Sequence, residues 1–333
     1  MKVSGAMRSP IVWFGGKGNL VPKLLQFIPA HEAYIEPFFG GGSLFFAKQP
    51  AKIEVINDID RDLMNFYAVL RDEEKFARFH RLAYLTPYSR CEYNEARRKF
   101  RNKAWKDDVE RAYLFFVLAR MSFSGDPGHS WGYTISNVRE NMPDSVSKYL
   151  SAIDSLPEVH ERLRHAQIEC DDWLSVWRRY IPIWKKKKFR VFAYLDPPYV
   201  PHTRRDGEYR HEFSTREHIK LINEIKDEKD VKIMLSGYPS QIYKKLEESG
   251  WRKICWDVGC FAVGKIYKAG LVGEGITTEK EQRRTECIWM NYNNNNNNGQ
   301  KELTQFQKLR AEDTSEKSSS ELIKIARSIL EGY

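Results

Sequence analysis

The chain has few cysteines and no long apolar run among its 333 residues. Its five cysteines include no CxxC pair, so neither a disulfide framework nor a zinc site is predicted. Cys255 and Cys260 are interpreted as buried thiols. No apolar stretch approaches the ~20 residues of a membrane helix, and the N-terminus lacks the apolar core of a signal peptide. The sequence therefore predicts a cytoplasmic protein without membrane segments.

Positive charge is the main compositional bias of the chain. The formal net charge is +9 and the sequence pI is about 9.1. Residues 71–106 hold eleven Lys or Arg side chains against five acidic ones, and Lys185–Lys188 form a second basic block. A basic surface attracts phosphates, so the charge favours a polyanionic partner such as a nucleic acid.

Repeated strand, turn and helix patterns predict a doubly wound α/β domain. Residues 33–46 read as a strand, a glycine turn and a helix start, and residues 52–71 as a strand ending at Asp58 and a helix. The pattern breaks over 72–165, where basic helical stretches predict an insertion with its own small core. Further strands are predicted at 167–173, 189–196, 231–238 and 285–292, and helices at 215–228, with Thr215 as N-cap, and 239–250.

Two features at the predicted sheet edge favour a bound nucleoside. The glycines of FFGGGS (38–43) follow a strand directly and would let the backbone approach a ligand. Asp58 ends the second strand, where a carboxylate commonly accepts both hydrogen bonds of a ribose diol. A tight turn without a ligand remains an alternative for the glycines. Asp58, Asp60 and Asp62 could equally cap the following helix.

The stretch YLDPPYV (194–200) ends a predicted strand on a carboxylate followed by two prolines. Pro197 and Pro198 lack backbone N–H groups, so the Asp196 carboxylate and the Pro197 carbonyl remain as acceptors beside the Tyr199 ring. Two acceptors and an aromatic face suit a planar ring bearing an NH₂ group. They would hold the amine with its lone pair aimed at an electrophile. A strand-end turn without chemistry is the alternative.

These motifs together resemble the Dam-type (D12 class) DNA adenine-N6 methyltransferases. DPPY (196–199), EPFFGGG (36–42) and WFGGK (13–17) occur in the family's order over about residues 10–292. The resemblance implies a Rossmann-like S-adenosylmethionine-dependent methyltransferase sheet with an inserted helical target-recognition domain. It implies catalysis by Asp196, Pro197, Pro198 and Tyr199 without a metal. The cofactor-binding residues it implies are Trp13, Lys17, Phe38, Gly40, Gly42, Asp58, Asp172 and Asp196.

The resemblance also divides the chain and suggests its partner. It implies a discontinuous catalytic domain (8–71 and 166–292) and an inserted recognition domain (72–165). Apart from the resemblance, the asparagine run 293–298 predicts an Asn-rich linker (293–300), and an amphipathic pattern after several serines predicts a tail (301–333) with one helix. The segment RMSFSGDPGHSWGY (120–133) resembles the family's DNA-reading hairpin. The DNA-binding candidates within it are Arg120, Ser124, His129 and Trp131.

The implied reaction is methylation of N6 of an adenine flipped out of double-stranded DNA. A cognate restriction nuclease and a monomeric or weakly dimeric state are further expectations. An RNA adenine or a protein glutamine amide is an alternative substrate. A non-catalytic DNA-binding module with the same fold is an alternative of another class.

Overall fold

The computed structural model describes residues 7–123, 130–203, 210–259 and 283–293. The strands are β1 (Ala33–Glu36), β2 (Ile53–Asn57), β3 (Val138–Arg139), β4 (Met142–Pro143), β5 (Gln167–Glu169), β6 (Val191–Leu195), β7 (Val231–Gly237), β8 (Arg252–Gly259) and β9 (Arg283–Met290). Ser124, His129, Cys260, all of the predicted linker except Asn293, and the predicted tail lie outside the described residues. Within the described ranges, no helix has the length and apolar character needed to cross a membrane.

Seven strands form one sheet in the order β5-β2-β1-β6-β7-β9-β8, and β3 pairs with β4 in a separate hairpin. The first five strands of that order run parallel; for example, Ala33 of β1 lies opposite Ile53 of β2 and Val191 of β6. Strand β9 is antiparallel to both of its neighbours. The prediction of a mixed α/β fold with a mostly parallel sheet is therefore confirmed. The 285–292 segment is the exception to the parallel arrangement.

Helices cover both faces of the sheet. They are α1 (Val21–Leu24), α2 (Ser43–Ala47), α3 (Arg61–Arg71), α4 (Glu73–Leu85), α5 (Arg90–Arg101), α6 (Asp108–Met121), α7 (Asp144–Asp154), α8 (Leu156–Arg164), α9 (Trp173–Lys186), α10 (Thr215–Ile225) and α11 (Lys244–Glu248). The prediction of Thr215 as N-cap is wrong. Ser214 caps α10 instead, because its hydroxyl accepts the Glu217 N–H while the Glu217 carboxylate accepts the Ser214 N–H.

Side chains that alternate along each buried strand belong to two hydrophobic clusters, one on each face of the sheet. In β2, Ile56 belongs to the cluster covered by α1 to α8, and Val55 belongs to the cluster covered by α9, α10 and α11. The strands are buried on both faces, which is why they read as short apolar runs in the sequence. The sheet is thus the middle layer of three.

The segment 72–165 shares its core with the sheet. Side chains from α4 to α8 and from the sheet belong to one continuous cluster, so the prediction of a separate small core is wrong for the described residues. A buried ion network reinforces this junction. Glu54 of β2 lies 2.6 Å from Lys48 Nζ and also pairs with Arg162 of α8. The predicted domain boundaries at 72 and 165 stay a prediction.

The interpretation of Cys255 as a buried thiol is also wrong. Cys255 is exposed and forms a disulfide with Cys287, which lies directly opposite on the neighbouring antiparallel strand. Their Cα atoms are 4.1 Å apart. This pair is 32 residues apart in sequence and no CxxC spacing signals it. Cys91 and Cys170 are exposed free cysteines.

Candidate active site

The glycine turn after β1 has the backbone conformation that only glycine adopts without strain. Gly40 has φ of 49° and Gly42 has φ of 64°, both in the left-handed region. A Cβ atom on Gly40 would lie 2.8 Å from Nε1 of Trp13, and one on Gly42 would clash with the Phe39 ring. The turn therefore requires glycine at both positions, and it brings Trp13 against the backbone of the turn.

Asp58 follows β2 and lies beside this turn. Its Oδ2 accepts the Gly40 N–H at 2.8 Å, and its Oδ1 accepts the Asp60 N–H at 3.0 Å. Burial raises the pKa of Asp58 to about 6, although these two N–H donors oppose the rise. Asp60, not Asp58, caps α3 by accepting the N–H groups of Asp62 and Leu63. Asp60 is therefore the N-cap of α3, and Asp58 does not have this role.

The end of β5 contributes a third acidic position to the same edge. Asp172 is exposed and caps α9 through Oδ1, which accepts the N–H groups of Leu174 and Ser175. Asp171 instead pairs with Arg179 at 3.0 Å. Both acids line the cavity described below, and Asp172 keeps a second carboxylate oxygen outside its capping bonds.

Asp196 lies at the end of β6 and faces a lysine from the N-terminal segment. Its Oδ1 is 2.9 Å from Nζ of Lys17, a side chain that is 6% exposed. Lys17 Nζ also donates to the Gly15 carbonyl at 2.9 Å. Burial raises the pKa of Asp196 to about 6, and the Lys17 ammonium limits that rise. The carboxylate is therefore the dominant form at neutral pH.

Tyr199 takes a different position from Asp196 and the prolines. Its ring is 3% exposed, and its hydroxyl donates a hydrogen bond to Glu286 of β9. The ring centroid is 4.5 Å from Lys17 Nζ and 4.3 Å from the Tyr238 ring. Pro197 and Pro198 line the cavity described below, whereas Tyr199 is not among its lining residues.

These groups surround one cavity of about 400 Å³ at the carboxyl ends of the parallel strands. The structure brings ten predicted site residues to its lining: Trp13, Lys17, Phe38, Gly40, Gly42, Asp58, Asp172, Asp196, Pro197 and Pro198. In the part of the chain that the structure describes, no group of three or more His, Cys, Asp and Glu side chains could hold a metal ion.

Sequence reasoning missed several residues of the lining. Glu36 is 2% exposed, and its Oε2 accepts the Tyr34 hydroxyl at 2.6 Å. Glu36 ends β1 and precedes the glycine turn, so its position at a strand end would have predicted that it lies at the site. Trp173 stacks with Phe38 at a centroid distance of 6.0 Å. No local pattern marks Arg210, which lines the cavity and pairs with Asp60 at 2.9 Å.

Two predicted DNA-binding residues lie on the 72–165 segment, away from the cavity lining. Arg120 lies in the last turn of α6, and burial lowers its pKa to about 10. Its Nε and the Trp131 Nε1 are shielded from solvent and have no hydrogen-bond partner among the residues that the structure describes. Trp131 stacks on Tyr133 at 5.5 Å, and the Arg90 guanidinium lies 4.5 Å from the Trp131 ring centroid. The structure thus groups aromatic and cationic side chains around Trp131.

Comparison with known proteins gives a consistent result. Residues 13–258 match the model of the family described as "D12 class N6 adenine-specific DNA methyltransferase". The chain is 27% identical over 297 residues to the "Type II methyltransferase M1.LlaDCHI" of Lactococcus lactis subsp. cremoris, covering 85% of this chain and 94% of that protein. It is 28% identical to the "DNA N-6-adenine-methyltransferase" of Escherichia phage P1, covering 74% of this chain and only 32% of that protein. It is 26% identical to the "DNA adenine methylase" of Escherichia coli (strain K12), covering 58% of this chain and 66% of that protein.

Proposed function

The chain belongs to the D12 class N6 adenine-specific DNA methyltransferase family and is a site-specific DNA adenine methyltransferase. From this premise, we propose how its cavity performs the reaction. The cavity takes S-adenosylmethionine at the glycine turn. The adenine enters at Asp196 after leaving the duplex. Base extrusion costs a few kcal/mol, which contacts to the unpaired base and to phosphates offset.

The chemistry of the cavity lining fits S-adenosylmethionine. The Gly40 and Gly42 backbone forms a cradle that a Cβ atom would fill, and Asp58 offers a carboxylate to the two ribose hydroxyls. Phe38 offers an aromatic face to the adenine moiety, and Asp172 offers an acceptor to its amino group. Lys17 suits the methionine carboxylate. When bound, the cofactor supplies an electrophilic methyl group.

Asp196 and the Pro197 carbonyl accept the two N–H hydrogens of the target amine. This geometry favours a tetrahedral nitrogen with its lone pair directed at the methyl group, a proximity and orientation effect. Positive charge that develops on nitrogen is stabilised by the Asp196 carboxylate. The nitrogen–methyl bond would form as the sulfur–methyl bond breaks, which would leave a neutral thioether. No strong base is needed before transfer, because the amine would release its proton to the Asp196 carboxylate or to water after it has become positively charged. Tyr199 stacks on the base.

The segment 72–165 serves as the inserted target-recognition domain in this proposal. Its basic side chains would neutralise phosphates, which supplies most of the sequence-independent affinity. We propose Arg120 and Trp131 as DNA contacts in this segment, and the cationic side chain of Arg90 lies beside Trp131. A phosphate or a base edge would accept hydrogen bonds from such cationic side chains. The nuclease partner and the monomeric or weakly dimeric state stay predictions.

The observation that carries the proposal is the meeting of Asp196, Asp58 and the glycine turn at one cavity. Its test is the substitution Asp196→Ala, with labelled methyl transfer measured on DNA, RNA and protein in parallel. We expect the wild type to label DNA alone. We expect Asp196→Ala to lose at least about a hundredfold in rate, the size of effect seen when a preorganised electrostatic contact is removed. DNA affinity should be retained.

A matched control removes a carboxylate from the opposite edge of the sheet. Asp230 precedes β7 and pairs with Lys185 at 3.0 Å. Asp230→Ala should methylate DNA like the wild type. Equal activity of Asp196→Ala and Asp230→Ala would contradict the proposed role of Asp196 and favour a site elsewhere in the chain.

A further inference from the structure

The antiparallel strand β9 brings a carboxylate to the far side of the DPPY motif. Glu286 lies on β9 next to Cys287, which is opposite Gly237 of β7. The Tyr199 hydroxyl donates a hydrogen bond to Glu286 Oε2. Glu286 lies beyond residue 258, where the match to the family model ends, and no sequence motif singled it out.

Among the described residues, side chains from several parts of the chain contact the Tyr199 ring. Tyr238, which follows β7, contacts it edge to face at a centroid distance of 4.3 Å. Lys17, from the N-terminal segment, places its ammonium 4.5 Å from the ring centroid. Glu286 binds the hydroxyl. Tyr199 directly follows two prolines, which supply no backbone N–H donors to anchor this turn. Its side-chain orientation therefore depends on these tertiary contacts.

The Lys17 ammonium occupies one of the two faces of the Tyr199 ring. A base that stacked on that face would have to displace the ammonium. The contacts with Tyr238 and Glu286 would then still orient the ring. A hydrogen bond to a charged acceptor is directional and stronger than a neutral one, so Glu286 is the more specific of the two.

The charge of Glu286 also acts on Asp196, at the other end of the DPPY motif. The pKa of Asp196 is raised by burial and lowered by Lys17, and the negative charge of Glu286 adds to the rise. Glu286 therefore lies close enough to influence both ends of the DPPY motif. Replacing it with glutamine keeps the shape and an acceptor oxygen but removes the charge.

We propose that Glu286 is a positioning residue that holds the Tyr199 ring, through its hydroxyl, in the orientation needed to stack on the extruded adenine. This inference rests on the proposed role of Tyr199 in base stacking. It assigns to β9, outside the region matched by the family model, a part in aligning the target base that acts through Tyr199. Glu286 is not among the residues that line the cavity.

The test uses the full chain with Glu286→Ala, Glu286→Gln and Tyr199→Phe, and the double variant Glu286→Ala/Tyr199→Phe. Thr285→Ala is the matched control, because it removes the neighbouring hydroxyl, which bonds the exposed Asp257 at 3.0 Å. The target adenine is first located by sequencing DNA that the wild type has methylated. Single-turnover methylation, affinity for S-adenosylmethionine, thermal melting and the fluorescence of 2-aminopurine at the target position are then measured.

We expect Glu286→Ala to slow single-turnover methylation about 10- to 100-fold, the range for losing one hydrogen bond to a charged group. Its affinity for S-adenosylmethionine should stay within about twofold of the wild type, while the 2-aminopurine signal changes because stacking is altered. Glu286→Gln should stay within about threefold in rate, since an amide oxygen still accepts the phenol. Thr285→Ala should match the wild type in every measurement.

The double variant separates positioning from other roles. If Glu286 acts through the Tyr199 hydroxyl, adding Glu286→Ala to Tyr199→Phe should slow the reaction by less than about threefold further. A wild-type rate for Glu286→Ala, or an equal loss in both backgrounds, overturns the inference. If Glu286→Ala fails to fold, Tyr199→Phe provides the test instead. A wild-type methylation rate and an unchanged 2-aminopurine signal in Tyr199→Phe would overturn the inference.

Failure of this inference is distinguishable from failure of the proposed site. If Tyr199→Ala and Asp196→Ala both methylate DNA like the wild type, the proposed site is wrong and this inference falls with it. If both variants are slow while Glu286→Ala matches the wild type, only the positioning role of Glu286 is refuted.

Discussion

The substitution Gly40→Ala tests whether the glycine turn is built for a ligand. Gly40 has φ of 49°, and an L-residue in the left-handed region costs about 1–2 kcal/mol. The added Cβ would also lie 2.8 Å from Nε1 and 2.9 Å from Cδ1 of Trp13. Trp13 is an inflexible ring packed against Phe115, so relief requires a shift of the indole or of the turn, at a further cost of about 1–3 kcal/mol.

Either shift disturbs the proposed cofactor site. Gly40 N donates to Asp58 Oδ2 at 2.8 Å, and Trp13 lines the cavity. Losing about 1.4 kcal/mol of binding free energy corresponds to a tenfold weaker Kd. We therefore expect Gly40→Ala to bind S-adenosylmethionine at least about tenfold more weakly, measured by calorimetric titration. The free energy of unfolding, measured in urea, should fall by about 2–5 kcal/mol.

Gly18→Ala is the matched control for this change. Nothing lies within 4 Å of a Cβ added at Gly18, and its φ is outside the left-handed region. An alanine there should leave both the Kd and the free energy of unfolding near their wild-type values. If Gly40→Ala binds the cofactor as tightly as Gly18→Ala, the reasoning that links the turn to the ligand is refuted.

Two further predictions concern titratable groups. The pKa values of Asp58 and Asp196 are each raised to about 6, so both carboxylates become protonated as the pH drops from 7 to 5. Affinity for S-adenosylmethionine should therefore fall over this range. The same protonation removes the cost of burying two charges and so favours the folded state. A Kd that is constant over this range would contradict the prediction. Burial opposes the ionised form of Glu54, but its two basic partners outweigh burial and lower its pKa to about 2. Glu54→Gln should therefore lower the free energy of unfolding, measured in urea at pH 7, by about 3–5 kcal/mol. This loss should shrink as the pH falls from about 4.5 towards 2. The control Glu32→Gln changes a solvent-screened ion pair and should leave the free energy of unfolding close to that of the wild type. Equal losses would refute the special role of the buried network.

The sheet edge could be predicted from the sequence because parallel strands end on the same side. Asp58 and Asp196 each follow a buried apolar run, and the structure brings both to one cavity. Local patterns specify where a strand ends, and the parallel arrangement then brings those ends together. Glu36 follows the same rule. The glycine turn that directly follows Glu36 is the stronger local signal in this part of the sequence.

Strand direction and cross-strand pairing could not be predicted in the same way. The apolar residues of β9 read alike whether the strand is parallel or antiparallel, since both faces are buried. Only the antiparallel register places Cys287 opposite Cys255 and turns Glu286 towards Tyr199. Contacts between residues far apart in sequence, such as that of Arg210 with Asp60, carry no local signal at all.

The N-terminal lysine illustrates why such a contact matters for the chemistry. A carboxylate that is to accept a hydrogen bond from a base must be shielded from water, but burial favours its protonated form. Burial raises the pKa of Asp196, and Lys17, 2.9 Å away, holds it at about 6. Without that ammonium the pKa would rise further towards neutral pH, and a protonated Asp196 would lose acceptor capacity. In the proposed mechanism, the WFGGK segment therefore has an electrostatic role at the end of β6, in addition to the cofactor contact proposed for it.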